Sequence, residues 1–240
     1  MQLYFIRHAQ STNNLLYDQT GSWDGRDADP ELTSAGREQA QRLAAHIARL
    51  DGCFDPARRD DYNRSGYGFT HVYTSLMIRA ASTGAPLASA LGLPLRGWID
   101  LHETGGLYLD DLETGEKIGQ PGLTRAELEA RFPGIVLPES LNHTGWWNRP
   151  AETEEEKVER AGRFLDDLMA RHGGTTDRVA VITHGAFYNR VLAALLNLPH
   201  REGLWFMLNN TAITRVDFRD GEVALVYMNR ADHLPDSLIT

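Results

Sequence analysis

The chain has 240 residues, of which 42% are hydrophobic and 24% charged, with a formal net charge of −9 at neutral pH. These proportions are typical of a globular protein and exclude wholesale disorder, and the acidic balance argues against a nucleic-acid partner. Cys53 is the single cysteine, which excludes an internal disulfide, and no apolar run reaches the roughly 18 residues of a membrane helix. We therefore expect a soluble, cytoplasmic protein without membrane contact.

The N-terminal residues predict a strand followed by a helix. Residues 3–6 form a short run of aromatic and branched side chains, which indicates a buried strand. Thr33 or Ser34 is the predicted N-cap of the helix, with Glu38 in its first turn. The apolar face of this helix is predicted to contain Ala35, Ala40, Leu43, Ala44, Ile47 and Leu50.

A surface insertion and a second strand–helix pair are predicted next. Residues 51–70 contain an Asp-Gly pair, a proline and several charges, which indicate a surface insertion with some mobility. Residues 72–75 predict a second buried strand. A helix is expected from about residue 77 to residue 91, where glycine and proline follow.

Two capping boxes predict helices in the second half of the chain. Thr124 and Thr153 are each followed three residues later by a glutamate, and this spacing satisfies the first amide groups of a helix. The first of these helices is short, since a proline follows at position 133. The apolar face of the second is predicted to contain Val158, Ala161, Leu165, Leu168 and Met169.

The last elements complete an alternating pattern. Residues 179–183 predict a third buried strand, followed by a helix that reaches about residue 198. Asp220 and Gly221 predict a tight turn between paired strands at residues 211–218 and 222–228. Strands that alternate with helices indicate an α/β fold with a largely parallel sheet.

The domain organisation follows from the same pattern. Neither repeats nor a linker are evident, so we expect one domain over residues 1–240, with insertions at about 51–70 and 105–150. The second insertion has little regular pattern and is predicted to cover a site.

Three predicted strand-to-helix junctions carry cationic or imidazole side chains. The first strand runs into Arg7 and His8, Arg79 lies one turn into the second helix, and the third strand ends at His184 and Gly185. Ligands of open α/β sheets bind beyond the carboxyl ends of the strands, where helix N-termini favour anions. Arginine adds a planar fork that fits phosphate oxygens. If the strands are neighbours, they predict a phosphoryl-binding pocket.

The junctions also belong to an ordered set of motifs. The segment from Arg7 to Ser11 resembles the Arg-His-Gly-Glu/Gln signature of the histidine phosphatase superfamily, branch 1, which includes the cofactor-dependent phosphoglycerate mutases. Residues 75–83 resemble that family's Ser-x-x-x-Arg-Ala-x-x-Thr helix, and residues 183–185 resemble its second histidine motif. The other similar segments are Asn14 and residues 30–36, 101–103, 152–160 and 210–214.

The resemblance implies a three-layer α/β/α sandwich with a mostly parallel central sheet, and phosphoryl transfer without metal or cofactor. His8 would be the nucleophile that forms a phosphohistidine, with its other ring nitrogen bonded to a backbone carbonyl. Glu103 would protonate the leaving oxygen and then deprotonate water, and we expect partial burial to keep it protonated. The residues implied in phosphate binding are Arg7, Asn14, Arg79, His184 and Gly185.

Some positions depart from the family pattern. Ala9 stands where the family has glycine, and Asn189 stands where it often has arginine, which leaves the adjacent Arg190 as the candidate for that contact. Gln10 replaces the commoner glutamate. The candidates for lining the substrate pocket are Gln10, Ser11, Trp146 and Arg190. The carboxylates that could replace Glu103 in its role are Glu31, Asp100 and Glu152.

The leading hypothesis is a phosphatase that acts on a small phosphorylated metabolite. A phosphoglycerate mutase stays open as an alternative, although residues 105–150 contain no adjacent basic pair to hold a carboxylate. A phosphate-binding regulatory module would have lost the nucleophile or the acid. A metal hydrolase would use His8, His102, His184 and Glu103, which lack the local spacing of a metal motif. The sequence also leaves a homodimer through a sheet edge open.

Overall fold

A six-stranded sheet forms the centre of the computed structural model, which describes residues 1–58, 60–111, 113–141, 143–198 and 203–240. The strands are β1 (Gln2–Arg7), β2 (His71–Thr74), β3 (Leu95–Gly97), β4 (Tyr108–Asp110), β5 (Lys117–Gly119), β6 (Arg178–Thr183), β7 (Ile213–Arg219) and β8 (Glu222–Arg230). The central sheet has the order β3-β2-β6-β1-β7-β8, and β4 pairs with β5 in a separate hairpin. β3 and β8 are the edge strands of the central sheet, and a homodimer that pairs sheet edges would use one of them.

Helices cover both faces of this sheet. They are α1 (Thr12–Thr20), α2 (Ser34–Asp51), α3 (Ile78–Leu91), α4 (Arg125–Arg131), α5 (Glu154–His172) and α6 (Gly185–Leu195). One apolar cluster joins the sheet to α2 and α3, and a second joins it to α5 and α6. The predicted three-layer α/β fold is confirmed. None of the helices in the described part of the chain is long and apolar enough to cross a membrane.

Strand β1 shows how the sequence builds the layers. Side chains alternate across a strand, so Tyr4 and Ile6 pack in the cluster with α2 and α3, whereas Leu3 and Phe5 pack with α5 and α6. All four are fully buried. β1 pairs in parallel with β6 and antiparallel with β7, which makes the sheet mixed but mostly parallel.

The predicted hairpin at the end of the chain is confirmed. β7 and β8 pair antiparallel across a two-residue loop, in which Asp220 and Gly221 have φ values of 52° and 81°. Positive φ at both positions matches the right-handed twist of the flanking strands.

Several predicted elements differ from the structure. α1 was not predicted, because none of its residues is buried and it has no apolar face. α2 is capped by Thr33 and starts at Ser34, so Glu38 lies beyond its first turn. α6 ends at Leu195 rather than near residue 198.

The buried face of α5 also differs from the prediction. Val158 and Met169 are 57% and 42% exposed, while Arg160 and Phe164 are fully buried. Apolar spacing did not predict this face because it includes a buried arginine. Arg160 is buried as the ion-pair partner of Glu152, and the spacing of apolar residues in a helix gives no sign of such a partner.

The segment 51–70 is only partly a surface insertion. Asn63 and Tyr67 are fully buried, and the Asn63 amide donates a hydrogen bond of 3.0 Å to the Tyr4 hydroxyl. The second half of this segment therefore belongs to the core beneath β1.

Candidate active site

The three strands that carry the predicted site residues lie side by side. β6 pairs in parallel with β2 on one side and with β1 on the other. Their carboxyl ends therefore meet at one edge of the sheet, where Arg7 ends β1 and His184 is the N-cap of α6. The three strands are therefore neighbours, as a common pocket for their C-terminal residues requires.

His8 is buried and has a defined tautomer. Its Nδ1 lies 2.7 Å from the carbonyl oxygen of Ala9, so this nitrogen carries the proton, and its Nε2 accepts a 3.2 Å hydrogen bond from Arg79 Nε. Burial, with the guanidinium groups of Arg79 and Arg7, lowers the pKa of His8 well below its usual range. The imidazole is therefore neutral at physiological pH, and Nε2 retains its lone pair.

His184 lies against His8 in the interior. The ring centroids are 5.0 Å apart, and burial lowers the pKa of His184 well below its usual range. Neither ring nitrogen has a hydrogen-bond partner among the described residues, although the side chain is fully buried. Buried polar groups are nearly always paired, so an unpaired imidazole beside His8 indicates a ligand-binding position.

Two arginines supply positive charge to the same place. Arg79 is in the first turn of α3, and Arg7 donates through one terminal nitrogen to the carbonyl of Leu208 at 2.7 Å. The Nε of Arg7 is buried and has no partner in the described part of the chain. Burial lowers the pKa of both guanidinium groups, but arginine stays protonated in proteins.

A buried carboxyl group that the sequence analysis missed lies behind Arg79. Asp29 accepts the Ile78 amide at the start of α3 at 2.9 Å, and one of its oxygens lies 3.9 Å from Arg79 Nη1. Burial raises the pKa of Asp29 to about 6. Asp29 thus helps to hold Arg79 and the first turn of α3 in place.

Backbone contacts fix the segment that follows His8. The Ala9 amide donates to Thr83 Oγ1 at 2.9 Å, which ties this segment to α3. A side chain on Gly36 would come within 2.0 Å of the Gln10 carbonyl oxygen, so only glycine allows α2 to approach this closely. The motif residues Thr83 and Gly36 thus position the segment that carries His8.

Asn14 lies at the start of α1 and forms a capping box with Ser11. Its Oδ1 accepts hydrogen bonds from the Ser11 amide at 3.1 Å and from the Ser11 hydroxyl at 3.0 Å. Because the oxygen is engaged in these bonds, the amide nitrogen is the group that Asn14 can offer to a ligand.

Glu103 follows β3 in the chain, and its carboxylate lies against the N-terminus of α6. Its carboxylate accepts hydrogen bonds from the backbone amides of Thr104, Ala186 and Phe187, at 2.8, 3.2 and 2.9 Å. The side chain is partly buried, as the sequence analysis expects, and it lines the same cavity as His8. Its proton-donating role stays a prediction.

These residues surround a cavity of about 430 Å³. Arg7, His8, Ser11, Asn14, Arg79, Glu103 and Gly185 all line it, and His184 lies buried behind His8. The remaining wall contains residues that the sequence analysis did not assign to the site: Trp23, Arg26, Tyr108, Asp110, Trp205, Met207 and Leu208. Tyr108 and Asp110 belong to β4, so the segment 105–150 contributes to the wall of the cavity.

Three of the predicted pocket residues lie elsewhere. The Gln10 side chain is buried and accepts from Thr33 Oγ1 at 2.8 Å. Trp146 packs against His102 and Trp147 in the core, with a ring-centroid distance of 5.7 Å to His102. Arg190 forms an ion pair of 2.6 Å with Glu154. Of the pocket candidates, only Ser11 lines the cavity.

The carboxylates that could replace Glu103 have other partners. Glu152 forms a fully buried ion pair with Arg160, while Glu31 pairs with Arg131, and Asp100 lies 3.7 Å from Arg163. Glu103 is the one among these four that lines the cavity together with His8.

The ligand set of the metal-hydrolase alternative does not assemble. His102 Nδ1 is bonded to the Glu103 carbonyl at 2.8 Å, and its Nε2 lies 3.7 Å from Glu152. Within the described ranges, the one cluster with the spacing of metal ligands is His71, His172 and Asp177, at the amino ends of β2 and β6. This cluster lies at the amino ends of the strands, whereas His8 lies at their carboxyl ends.

The fold is α/β, and it brings two imidazole and two guanidinium groups together at the carboxyl ends of β1, β2 and β6. The family model described as histidine phosphatase superfamily (branch 1) matches residues 3–54 and 62–231, and the chain belongs to this family. The resemblance noted from the sequence motifs is thereby confirmed.

Individual relatives are distant. A probable phosphoglycerate mutase, GpmB, of Yersinia enterocolitica is 22% identical over 92% of this chain and 86% of its own length. A glucosyl-3-phosphoglycerate phosphatase of Mycolicibacterium vanbaalenii is 24% identical over 82% of this chain and 75% of its own length. The crystal structure of a putative alpha-ribazole-5'-P phosphatase from Escherichia coli has a TM-score of 0.61 at 20% identity, and the alignment covers 96% of this chain and 98% of that one.

Proposed function

We propose that the protein is a phosphatase that hydrolyses a small phosphomonoester through a phosphohistidine on His8, without a metal ion. The observation that carries this proposal is the state of His8. Its imidazole is held in one tautomer by the Ala9 carbonyl, and its Nε2 faces Arg79 beside the unpaired ring of His184. A neutral, oriented imidazole with donors around it is what nucleophilic attack on a phosphoryl group requires.

In the first step, His8 Nε2 attacks phosphorus and forms the N–P bond as the bond to the leaving oxygen breaks. Glu103 gives its proton to that oxygen, so the product leaves as a neutral alcohol. The positive charge that develops on the imidazole is shared with the Ala9 carbonyl through Nδ1–H. Arg7, Arg79 and His184 donate to the phosphoryl oxygens in the transition state.

In the second step, water attacks phosphorus and gives a proton to the Glu103 carboxylate, the N–P bond breaks, and His8 recovers its lone pair. The backbone amides around Glu103 fix the direction of its carboxylate, so the same group can serve both steps. Phosphate then leaves and the cycle is complete.

The ion pairs of the covering segment favour a phosphatase over a mutase. A mutase must hold a carboxylated substrate in the site while the substrate reorients. Holding its carboxylate requires a cation near the pocket that has no other partner. Arg125 and Arg131 pair with Glu129 and Glu31. Arg149 pairs with Glu152 and Glu156, and Lys117 lies over the Tyr108 ring. These are the four basic residues of segment 105–150, and each has a partner.

The test compares wild type, His8→Ala and His71→Ala on 4-nitrophenyl phosphate in excess EDTA. We expect turnover by wild type and by His71→Ala, whose histidine lies at the opposite edge of the sheet, and none by His8→Ala. Rapid quenching should trap an acid-labile, base-stable phosphoenzyme only where His8 is present.

Other outcomes of these assays would overturn parts of the proposal. Activity that survives in His8→Ala would remove the nucleophile, and activity that chelator abolishes would remove the metal-free mechanism. Exchange between 2- and 3-phosphoglycerate without release of phosphate would identify a mutase instead.

A further inference from the structure

Aromatic and apolar side chains form the wall of the cavity outside the phosphate pocket. Trp23, Trp205 and Met207 line it and are 48%, 52% and 62% exposed. The ring of Trp23 stacks on Tyr17 with centroids 4.5 Å apart, which makes a flat aromatic surface at the mouth. Large apolar side chains that stay half exposed around a cavity mark a binding surface.

The aromatic wall directly adjoins the phosphate pocket. A Cβ atom on Gly185 would lie 3.8 Å from the Trp205 indole and 3.9 Å from Arg7 Nε. A phosphoryl group bound between Arg7 and the start of α6 would therefore lie beside Trp205. The aromatic wall thus begins where the phosphate pocket ends, and it is the surface of the cavity next to that pocket.

Asn189 holds this wall on α6. Its side-chain oxygen accepts the Phe206 amide at 2.7 Å, and its nitrogen donates to the carbonyls of Phe206 and Gly185 at 3.1 and 2.8 Å. Leu208 is fixed as well, because its carbonyl accepts from Arg7. The departure from the family's arginine at position 189 therefore removes a cation and fixes the loop that carries Trp205.

The charges beyond the phosphate pocket are balanced. Arg26 is the lining cation there among the described residues, and it pairs with Asp110 at 3.0 Å and lies 4.4 Å above the Tyr108 ring. A carboxylate on the leaving group would have to break this pair to find a partner. An uncharged leaving group has no such cost.

We propose that the substrates of this site are phosphomonoesters whose leaving group is an uncharged aromatic alcohol that stacks on Trp205 and Trp23. This inference rests on the phosphatase function proposed above. Trp205 is the main specificity determinant and Trp23 supplies a second aromatic surface, whereas phosphorylated hydroxy acids are poor substrates.

The test uses three alkyl phosphates with primary-alcohol leaving groups: 2-phenylethyl phosphate, ethyl phosphate and 3-phosphonooxypropanoate. Because the alcohols are chemically similar, differences in kcat/KM report contacts with the group beyond the ester oxygen. We expect 2-phenylethyl phosphate to exceed each of the other two by at least tenfold, which corresponds to about 1.4 kcal/mol.

Variants locate the effect. Trp205→Ala should lower the ratio of kcat/KM for 2-phenylethyl phosphate to that for ethyl phosphate by about tenfold, and Trp205→Phe should retain most of the ratio. Tyr62→Ala is the matched control, since Tyr62 is an aromatic residue 59% exposed and not part of the cavity wall. It should leave the ratio unchanged.

The outcomes separate the two proposals. If wild type hydrolyses neither ethyl phosphate nor 4-nitrophenyl phosphate, the phosphatase function itself fails. If wild type hydrolyses the three alkyl phosphates equally well or prefers the carboxylated one, the aromatic-substrate inference fails while the phosphatase function stands. An unchanged ratio in Trp205→Ala would also overturn the inference.

Discussion

Replacing Arg160 by methionine should destabilise the protein severely. Arg160 and Glu152 are both fully buried and form paired hydrogen bonds of 2.7 and 2.8 Å. Arg160 also donates to the carbonyls of Asp100 and His102 at 2.7 and 2.9 Å. Breaking a buried ion pair from one side typically costs about 3–5 kcal/mol, because it leaves an unpaired buried charge. For a chain of this size, that loss lowers Tm by about 6–20 °C.

Thermal denaturation followed by circular dichroism measures this loss. Arg163→Met is the matched control, since Arg163 is on the same helix, half exposed, and 3.7 Å from Asp100. Its loss should stay within about 0.5 kcal/mol. A Tm for Arg160→Met within about 2 °C of wild type, less than 1 kcal/mol, would refute the view that this pair supports the core.

The same substitution should also lower kcat. Arg160 holds the carbonyls of residues 100 and 102, and Glu152 accepts the Gly105 amide at 3.1 Å, so the pair fixes the segment that carries Glu103 from both sides. The double variant Arg160→Met/Glu152→Met removes both charges, so its Tm should exceed that of Arg160→Met. Its kcat should stay low, because the carbonyls of Asp100 and His102 still lack their donor and the Gly105 amide has also lost its acceptor.

Four further predictions concern the pocket. Arg79→Ala should lower kcat/KM about a hundredfold or more, since Arg79 contacts the nucleophile itself; a loss below about tenfold would exclude it from the transition state. Glu103→Gln should reduce turnover of alkyl phosphates more than that of 4-nitrophenyl phosphate, whose leaving group needs no proton, and equal losses would contradict the general-acid role. Inorganic phosphate at about 100 times its Kd should stabilise the fold by about 2.7 kcal/mol and raise Tm by about 5–11 °C, and Arg79→Ala should lose this shift. Acid should destabilise the fold. Burial lowers the pKa of His8, His102 and His184, so below about pH 6.5 the unfolded chain binds more protons than the folded chain does. The free energy of unfolding therefore decreases as the pH is lowered, by up to about 1.4 kcal/mol per histidine per pH unit. The pKa of Asp29 is raised to about 6, so protonation of Asp29 stabilises the fold as the pH is lowered from about 6 to 4, but this is one group against three histidines. A Tm that is flat from pH 8 to pH 5 would contradict the expected net destabilisation by acid.

The strand ends could be predicted from sequence because the relevant signals are local. Each of the three junctions has a short apolar run followed within five residues by its functional residue, and parallel strands bring such ends together whatever lies between them. Asn14 and Glu103 needed the resemblance to the family, since nothing in their immediate neighbours distinguishes them from surface residues. Glu103 in particular is placed by amide groups of α6, more than 80 residues away.

The walls of the cavity could not be predicted in the same way. Trp23 and Trp205 are on irregular segments far apart in the chain, and neither lies in a helix or strand whose period would show which way it faces. Trp146 looked equally suitable from the sequence, but it packs on His102 in the core. Which tryptophans reach the ligand depends on contacts between distant segments, such as Asn189 with Phe206.

The charges of the pocket account for how an acidic protein could bind a phosphomonoester without retaining the phosphate. Asp29 partly offsets the charge of Arg79, while burial lowers the pKa of His184 well below its usual range and keeps that imidazole neutral. In the ground state, the two guanidinium groups and the neutral imidazole of His184 hold the dianion. In the proposed transition state, His8 itself becomes cationic beside the phosphoryl oxygens, so attraction strengthens as the N–P bond forms. Binding that strengthens only then raises kcat, whereas a third arginine at position 184 would bind substrate, transition state and product alike and slow release.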